Sequence, residues 1–202
     1  MHVALGFLAA LVFVTTVGVG TPDRPVATSS APRPPGAAIT YDGFTADHHA
    51  LVDWALALFD EAGLELAPVH FVASADYGPC QGRSGIARHR DGASEITLCG
   101  ERLGPAHDWL ALHELAHVFE RHGLGDSHRQ AFMELRGLTA WRDGDWHDRG
   151  AEHAAEIIAW GLIDRPTRPG HIDQNTCEDL LAGYVTLIGR LPLHGYTEAC
   201  EG

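Results

Sequence analysis

The sequence contains no lysine: all 14 of its basic residues are arginine, against 27 acidic residues, so the formal net charge is −13. Such an excess of negative charge repels phosphate backbones and argues against a nucleic-acid partner. The 45% hydrophobic and 20% charged fractions are ordinary for a globular protein and exclude a disordered chain. A chain of 202 residues leaves room for one domain after its N-terminus is set aside.

The N-terminus lacks the basic residues that usually precede a signal peptide, yet residues 3–20 form an uncharged apolar run. Because this run is just long enough to span a bilayer, residues 1–20 are predicted to be a cleaved signal peptide or a membrane anchor. Residues 21–38 are rich in proline, serine and alanine and are predicted to be a linker. We therefore expect residues 39–202 to form an extracytoplasmic domain, which is secreted or tethered to the membrane only through residues 3–20.

Cysteine is scarce, and no two cysteines have the CxxC spacing typical of a four-cysteine zinc site. Cys80, Cys99, Cys177 and Cys200 form an even set in a chain expected to be exported, which favours disulfides over free thiols. We favour the pairs Cys80–Cys99 and Cys177–Cys200, because each closes a local loop around one predicted unit.

The first half of the domain is predicted to contain one helix and a small antiparallel sheet. Apolar residues recur at helical spacing over about 45–62, and residues 68–74 alternate as a strand does. Residues 84–90 and 93–99 flank Asp91-Gly92, a dipeptide that favours a tight hairpin turn.

The second half is predicted to be helical. Helices are expected at 106–122, from Ser127 as N-cap through about 138, at 149–164 and at 177–191. The predicted fold class is therefore α+β, with the small antiparallel sheet packed on a helical set.

The chemistry centres on the HELAH segment of the predicted helix at 106–122. His113 and His117 are four residues apart, so their imidazoles project from one face. Catalytic zinc takes such ligands in a tetrahedral array and keeps one position for water, whose proton Glu114 could accept as the water attacks a carbonyl. We therefore predict a Zn²⁺ site with Glu114 as general base.

With 14 histidines in the chain, these letters alone could arise by chance. The surrounding helix is strongly apolar, however, and a buried histidine or glutamate without a partner is costly, whereas a metal supplies a partner. The alternative is a pair of core histidines whose nitrogens are satisfied by hydrogen bonds.

A third ligand is expected from the apolar helix at 151–163, where Glu152 and Glu156 are four residues apart. Two carboxylates in such a helix need a cation or hydrogen-bond donors. One would bind zinc, and the other would hydrogen-bond a ligating imidazole from behind. A salt-bridged or solvent-facing pair is the alternative reading, and His128 is an alternative third ligand. A metzincin-like site would need histidine at position 123, which is Gly123.

HELAH followed by EHAAEIIAWGLI resembles the gluzincin metallopeptidases, whose third zinc ligand is a glutamate on a downstream helix. A close pattern is the ExxAN-x-F-A form of the peptidases that inactivate phage-type repressors. The resemblance covers about residues 106–165 and implies a zincin-like fold with Glu152 as ligand and Ala155 and Ala159 at small-residue positions. Glu156 replaces the asparagine of those proteins and matches the aspartate by which thermolysin-like enzymes orient a zinc-bound histidine.

The expected function is an exported zinc-dependent metallopeptidase that acts on a peptide or protein lying extended beside the sheet edge. The predicted export and disulfides argue against an intracellular repressor-cleaving role. His147, Arg149 and Tyr184 are candidates for stabilising the transition state, and the sequence does not choose among them. The alternatives are a non-catalytic extracellular zinc-binding module and a metal-free adhesion domain with an accidental match.

Overall fold

A computed structural model describes residues 38–101, 103–104, 106–194 and 200. The predicted signal peptide or anchor, and the linker up to residue 37, lie outside these residues and stay predictions. In the described part of the chain, no helix is long and apolar enough to cross a bilayer. The elements in chain order are β1 (Ile39–Asp42), α1 (Ala46–Glu61), β2 (Val69–Ser74), β3 (Gly85–Arg90), β4 (Ala93–Cys99), α2 (Ala106–His122), α3 (Asp126–Arg136), a short 3-10 turn (Trp146–Asp148), α4 (Gly150–Leu162) and α5 (Cys177–Ile188).

The sheet has four strands in the order β1-β2-β4-β3 and is mixed. The predicted α+β class is confirmed, but the prediction of an antiparallel sheet is wrong, because β1 pairs parallel with β2 and β2 pairs parallel with β4. Among the described strands, only β3 and β4 form an antiparallel pair, the hairpin around Asp91-Gly92. The strand β1 was not predicted; since α1 joins it to β2, the helix acts as the crossover that parallel neighbours require.

Two helix ends differ from the prediction. Helix α3 begins at Asp126 after Gly125 rather than at a Ser127 cap, and it ends at Gly137, whose φ of 65° is the left-handed conformation that favours glycine. Helix α5 begins at Cys177 as predicted, where the Thr176 side chain accepts from the backbone of Asp179 and so caps the first turn, but it ends at Ile188 rather than at residue 191.

Helix α2 is central to the fold, because it packs against α1, α4 and β3. Helix α4 is buried along its whole length except at Glu152. Gly161 lets α5 approach α4 closely, since a Cβ there would lie only 2.1 Å from Tyr184 Cε2. The apolar core therefore surrounds α4, and both carboxylates of that helix, Glu152 and Glu156, lie beside α2.

Both predicted disulfides are present, Cys80–Cys99 and Cys177–Cys200, with Cα separations of 6.2 Å and 5.3 Å. The first ties the loop before β3 to the end of β4. Paired disulfides are typical of proteins that fold in an oxidising, extracellular environment.

Candidate metal site and cleft

The two histidines of α2 lie on one face of the helix, as their spacing predicts. Their Nε2 atoms are 3.1 Å apart, and the two rings meet edge to face. Neighbouring residues Leu112 and Leu115 are fully buried, so the imidazoles rise from an apolar stretch of helix. A metal ion would accept both Nε2 lone pairs at this separation.

Glu152 of α4 completes a triangle of possible ligand atoms. Its Oε2 lies 3.4 Å from His113 Nε2 and 3.3 Å from His117 Nε2, close to the 3.1 Å between the two nitrogens. A tetrahedral zinc ion with nitrogen and oxygen ligands at about 2.0–2.1 Å separates its ligand atoms by about 3.3 Å. The three side chains therefore could hold a metal ion with its fourth position open. The predicted juxtaposition of these three residues is confirmed.

Glu156 lies behind His113, on the side away from the triangle. Its Oε1 is 3.2 Å from His113 Nδ1, within hydrogen-bond distance but not aligned for a bond, and 3.4 Å from the Trp109 indole nitrogen, which donates to it. The side chain is almost fully buried, and Oε2 has no hydrogen-bond partner among the described residues. Glu156 is thus in the predicted place for orienting an imidazole and is not a corner of the triangle.

A second buried carboxylate, Glu120, faces His117 and was missed from the sequence. Its Oε1 lies 3.9 Å from His117 Nδ1 and accepts from Arg142 Nη2 at 2.8 Å, while Oε2 accepts from Trp141 Nε1 at 2.9 Å. The signal was its position on the same apolar helix, three residues after His117. Each imidazole of the site therefore has a buried carboxylate near its second nitrogen, an arrangement that orients metal-binding histidines.

The carboxylates shift the pKa values of the site strongly. Burial alone would lower the pKa of His113, but the nearby carboxylates of Glu152 and Glu156 outweigh it and raise that pKa to about 10. The pKa of His117 is also raised, because Glu120 and Glu152 outweigh burial. Burial would raise the pKa of Glu152, yet the two imidazoles hold it well below its usual range. The cluster thus favours bound positive charge, supplied by protons or by a metal ion.

Glu114 lies next to the triangle and beside the first residue of β3. A Cβ on Gly85 would lie 3.1 Å from Glu114 Oε1 and 2.9 Å from Leu110 Cδ1, so a glycine leaves room for the carboxylate. Glu114 is buried, and its side chain makes no hydrogen bond within the described part of the chain. Its acceptor oxygens are therefore available to a small molecule at the site.

The triangle forms part of the floor of a cleft of about 890 Å³. One wall is β3, an outer strand of the sheet. Cys99 N donates to Ser84 O at 2.7 Å, so Ser84, the residue just before β3, bonds to β4. In an antiparallel pair, residues alternate between bonding to the partner strand and facing away from it. The backbone N–H and C=O groups of Gly85, Ala87 and His89 therefore point away from β4. No described strand pairs with that side of β3, and the same three residues line the cleft.

The opposite wall carries two of the three candidates for transition-state stabilisation. His147 and Arg149 both line the cleft, together with His171, which sequence reasoning missed. Tyr184 does not line it, because its ring is buried against Gly161 in the packing of α4 on α5. His128 is exposed on α3 and lies outside both the cleft and the triangle, which leaves Glu152 as the third corner.

Hydrogen bonds from behind hold this wall in place. The His153 ring meets the carbonyl oxygen of His147 at 2.6 Å, and His147 Nδ1 lies 3.0 Å from the carbonyl oxygen of His171. The buried Arg136 guanidinium donates to the backbone oxygens of Asp173 and Gln174. The wall is thereby attached to α3 and α4, the latter of which carries Glu152.

None of the protein-family models, curated proteins or solved structures compared with this chain matches it, so the resemblance to gluzincins rests on the residues of α2 and α4 alone.

Proposed function

We propose that the chain is an exported zinc-dependent metallopeptidase. The observation that carries this proposal is the near-equilateral triangle of His113, His117 and Glu152 at the floor of a cleft, with Glu114 beside it. Two imidazoles and one carboxylate form the donor set that catalytic zinc uses, and neither soft thiolates nor an all-oxygen shell is offered here.

When bound, Zn²⁺ supplies Lewis acidity and lowers the pKa of water to near neutrality. Glu114 accepts the proton of the attacking water and returns it to the leaving amine. Its lack of a hydrogen bond within the described chain suits this role, because both oxygens are free to accept. His147 and Arg149, which line the opposite wall, carry donors that would stabilise a developing oxyanion.

The outer edge of β3, with which no described strand pairs, supports a peptide as the substrate. An extended peptide pairs its backbone with an unpaired strand edge, and the outward groups of Gly85, Ala87 and His89 lie on the cleft side. The two disulfides, together with the apolar residues 3–20, support activity outside the cytoplasm.

Glu114→Gln tests the proposal. The variant should keep its zinc, because the triangle is intact, and should lose about 10²–10⁴-fold in kcat, the usual contribution of a general base. Zinc content and cleavage of a peptide library are measured on the folded domain, with Glu134→Gln on the exposed face of α3 as the matched control.

Cleavage by Glu114→Gln at the rate of the parent would overturn this mechanism. A parent protein that binds one zinc ion and cuts no peptide in the library would instead be a non-catalytic zinc-binding module.

A further inference from the structure

The cleft has a different balance of acidic and basic residues from the rest of the chain. Overall the protein has 27 acidic and 14 basic residues, yet no aspartate lines the cleft, and four glutamates and three arginines do. The net charge that a substrate encounters in the cleft therefore depends on which of these side chains are accessible and which are already in ion pairs.

The four glutamates lie at the floor of the cleft and are largely shielded from solvent. Glu114, Glu120 and Glu156 are among the buried residues, and the Glu152 side chain is only 12% exposed. A divalent ion on the triangle would offset two of these negative charges, and Arg142, bonded to Glu120, offsets a third. The floor consequently presents little net charge to a ligand.

The remaining two arginines are accessible and make no ion pair with any described carboxylate. Arg83 is exposed in the turn before β3, and its side chain has no hydrogen bond in the described structure. Arg149 precedes α4 on the opposite wall, where its Nε donates to the backbone oxygen of Gly144 at 2.9 Å. In a chain with so many carboxylates, two unpaired arginines at one cleft are available to an external anion.

We propose, resting on the function above, that the substrates are acidic peptides, with aspartate or glutamate side chains flanking the scissile bond. A peptide extended along β3 passes Arg83 at one wall and faces Arg149 at the other. Guanidinium groups recognise carboxylates through paired hydrogen bonds, and an accessible pair of this kind contributes up to about 1 kcal/mol, or about fivefold in affinity.

The experiment uses the zinc-loaded protein and one cleavable peptide sequence in three versions. The flanking positions carry Asp and Glu, Asn and Gln, or Arg. We expect kcat/KM to be about three- to tenfold higher for the acidic version than for the amide version, and lowest for the arginine version. The preference should shrink in 1 M salt, where the Debye length is only about 3 Å.

Arg83→Gln and Arg149→Gln should each reduce the ratio of acidic to amide cleavage, whatever they do to the absolute rate. Arg190→Gln is the matched control, because Arg190 is exposed after α5 and does not line the cleft. Equal cleavage of the acidic and amide versions, or an unchanged ratio in both cleft variants, would overturn the assignment.

Binding separates this inference from the peptidase activity. The affinities of the zinc-loaded Glu114→Gln variant for the three peptides, measured by fluorescence anisotropy, should follow the same order without any turnover. If the parent cuts none of the three peptides and the acidic version still binds most tightly, the peptidase proposal fails and the acidic preference stands. If the parent cuts the peptides but neither the rate nor the affinity favours the acidic version, the acidic preference fails and the peptidase proposal stands.

Discussion

The two imidazoles of the triangle are supported in different ways. Behind His113, the carboxylate of Glu156 has one indole donor at 3.4 Å and one oxygen without a partner among the described residues. Behind His117, Glu120 accepts from both an indole and a guanidinium at 2.9 Å and 2.8 Å. We refer to His113 with Glu156 as the inner half of the site and to His117 with Glu120 as the outer half.

The difference concerns what neutralises each buried carboxylate. In the outer half, Arg142 provides a positive charge from the protein itself, and the pKa of Glu120 is lowered despite burial because His117 and Arg142 stabilise the ionised form. In the inner half, the nearest positive charge is His113 when it is protonated. A buried charge without a partner is strongly unfavourable, so the inner half depends on a proton or a metal ion and the outer half does not.

Glu120 also connects the site to the cleft wall. Trp141 and Arg142, which bond it, belong to the loop that leads to His147 and Arg149. A change in the outer half is therefore expected to affect the protein fold and the wall as well as the ion, whereas a change in the inner half should mainly affect the ion.

Glu152→Ala should have the largest effect, because its Oε2 contacts both halves. Loss of a residue that only supports a ligand weakens metal binding by about 10–100-fold, and loss of Glu152 should weaken zinc binding by more than that. The rise in Tm on adding zinc should also disappear. Competition with a chromophoric chelator measures the affinity, and Glu134→Ala on α3 is the control. Loss of zinc in Glu156→Ala but not in Glu152→Ala would show that the ligand assignment is reversed.

Glu120→Gln and Glu156→Gln test the comparison directly. Both should weaken zinc binding by about 10–100-fold. In the metal-free protein, however, Glu120→Gln should lower the free energy of unfolding by about 1–3 kcal/mol, since it breaks a charged hydrogen bond to Arg142. Glu156→Gln should lower the free energy of unfolding by less, because it removes a buried charge of which one oxygen has no described hydrogen-bond partner. Urea unfolding with a chelator measures both, and equal losses would remove the distinction between the halves.

Most of the correct predictions came from patterns within short segments of the sequence. The helical period, the Asp91-Gly92 turn and the i, i+4 spacing of His113 and His117 are properties of short segments, and the structure has each of them. The contact of Glu152 with the two histidines could also be predicted, because a carboxylate on an apolar helix needs a positive partner and the predicted metal site lacked one ligand.

Long-range arrangement was the part that the sequence did not provide. The parallel pairing of β2 with β1 and β4 joins strands that are separated by another element in the chain, which no strand pattern encodes. Glu120 was missed because its partners Trp141 and Arg142 are about twenty residues away in a loop. Tyr184 was a candidate by residue type alone, and only the packing against Gly161 removes it from the cleft.

The pH dependence of the metal-free protein should show the smallest effect, on the order of 1 kcal/mol between pH 6.5 and 8.5. The pKa of His113 is raised from 6.5 to about 10 in the folded state, so its stabilising contribution is full below pH 6.5 and is lost as the pH rises toward 10. The pKa of Glu152 is lowered from 4.5, so its contribution is present above that value and is lost at more acidic pH. Metal-free stability should therefore be highest between about pH 4.5 and 6.5.

Zinc affinity should change in the opposite direction over the same range, because the ion displaces the proton of the inner half and so binds more tightly as the pH rises. Urea unfolding in chelator at pH 6.5 and 8.5, paired with zinc titrations, measures both slopes. Because Glu120 is already neutralised by Arg142, His113→Gln should flatten the stability slope more than His117→Gln does. A metal-free protein that is more stable at pH 8.5, or equal flattening by the two variants, would contradict the view that only the inner half needs an added positive charge.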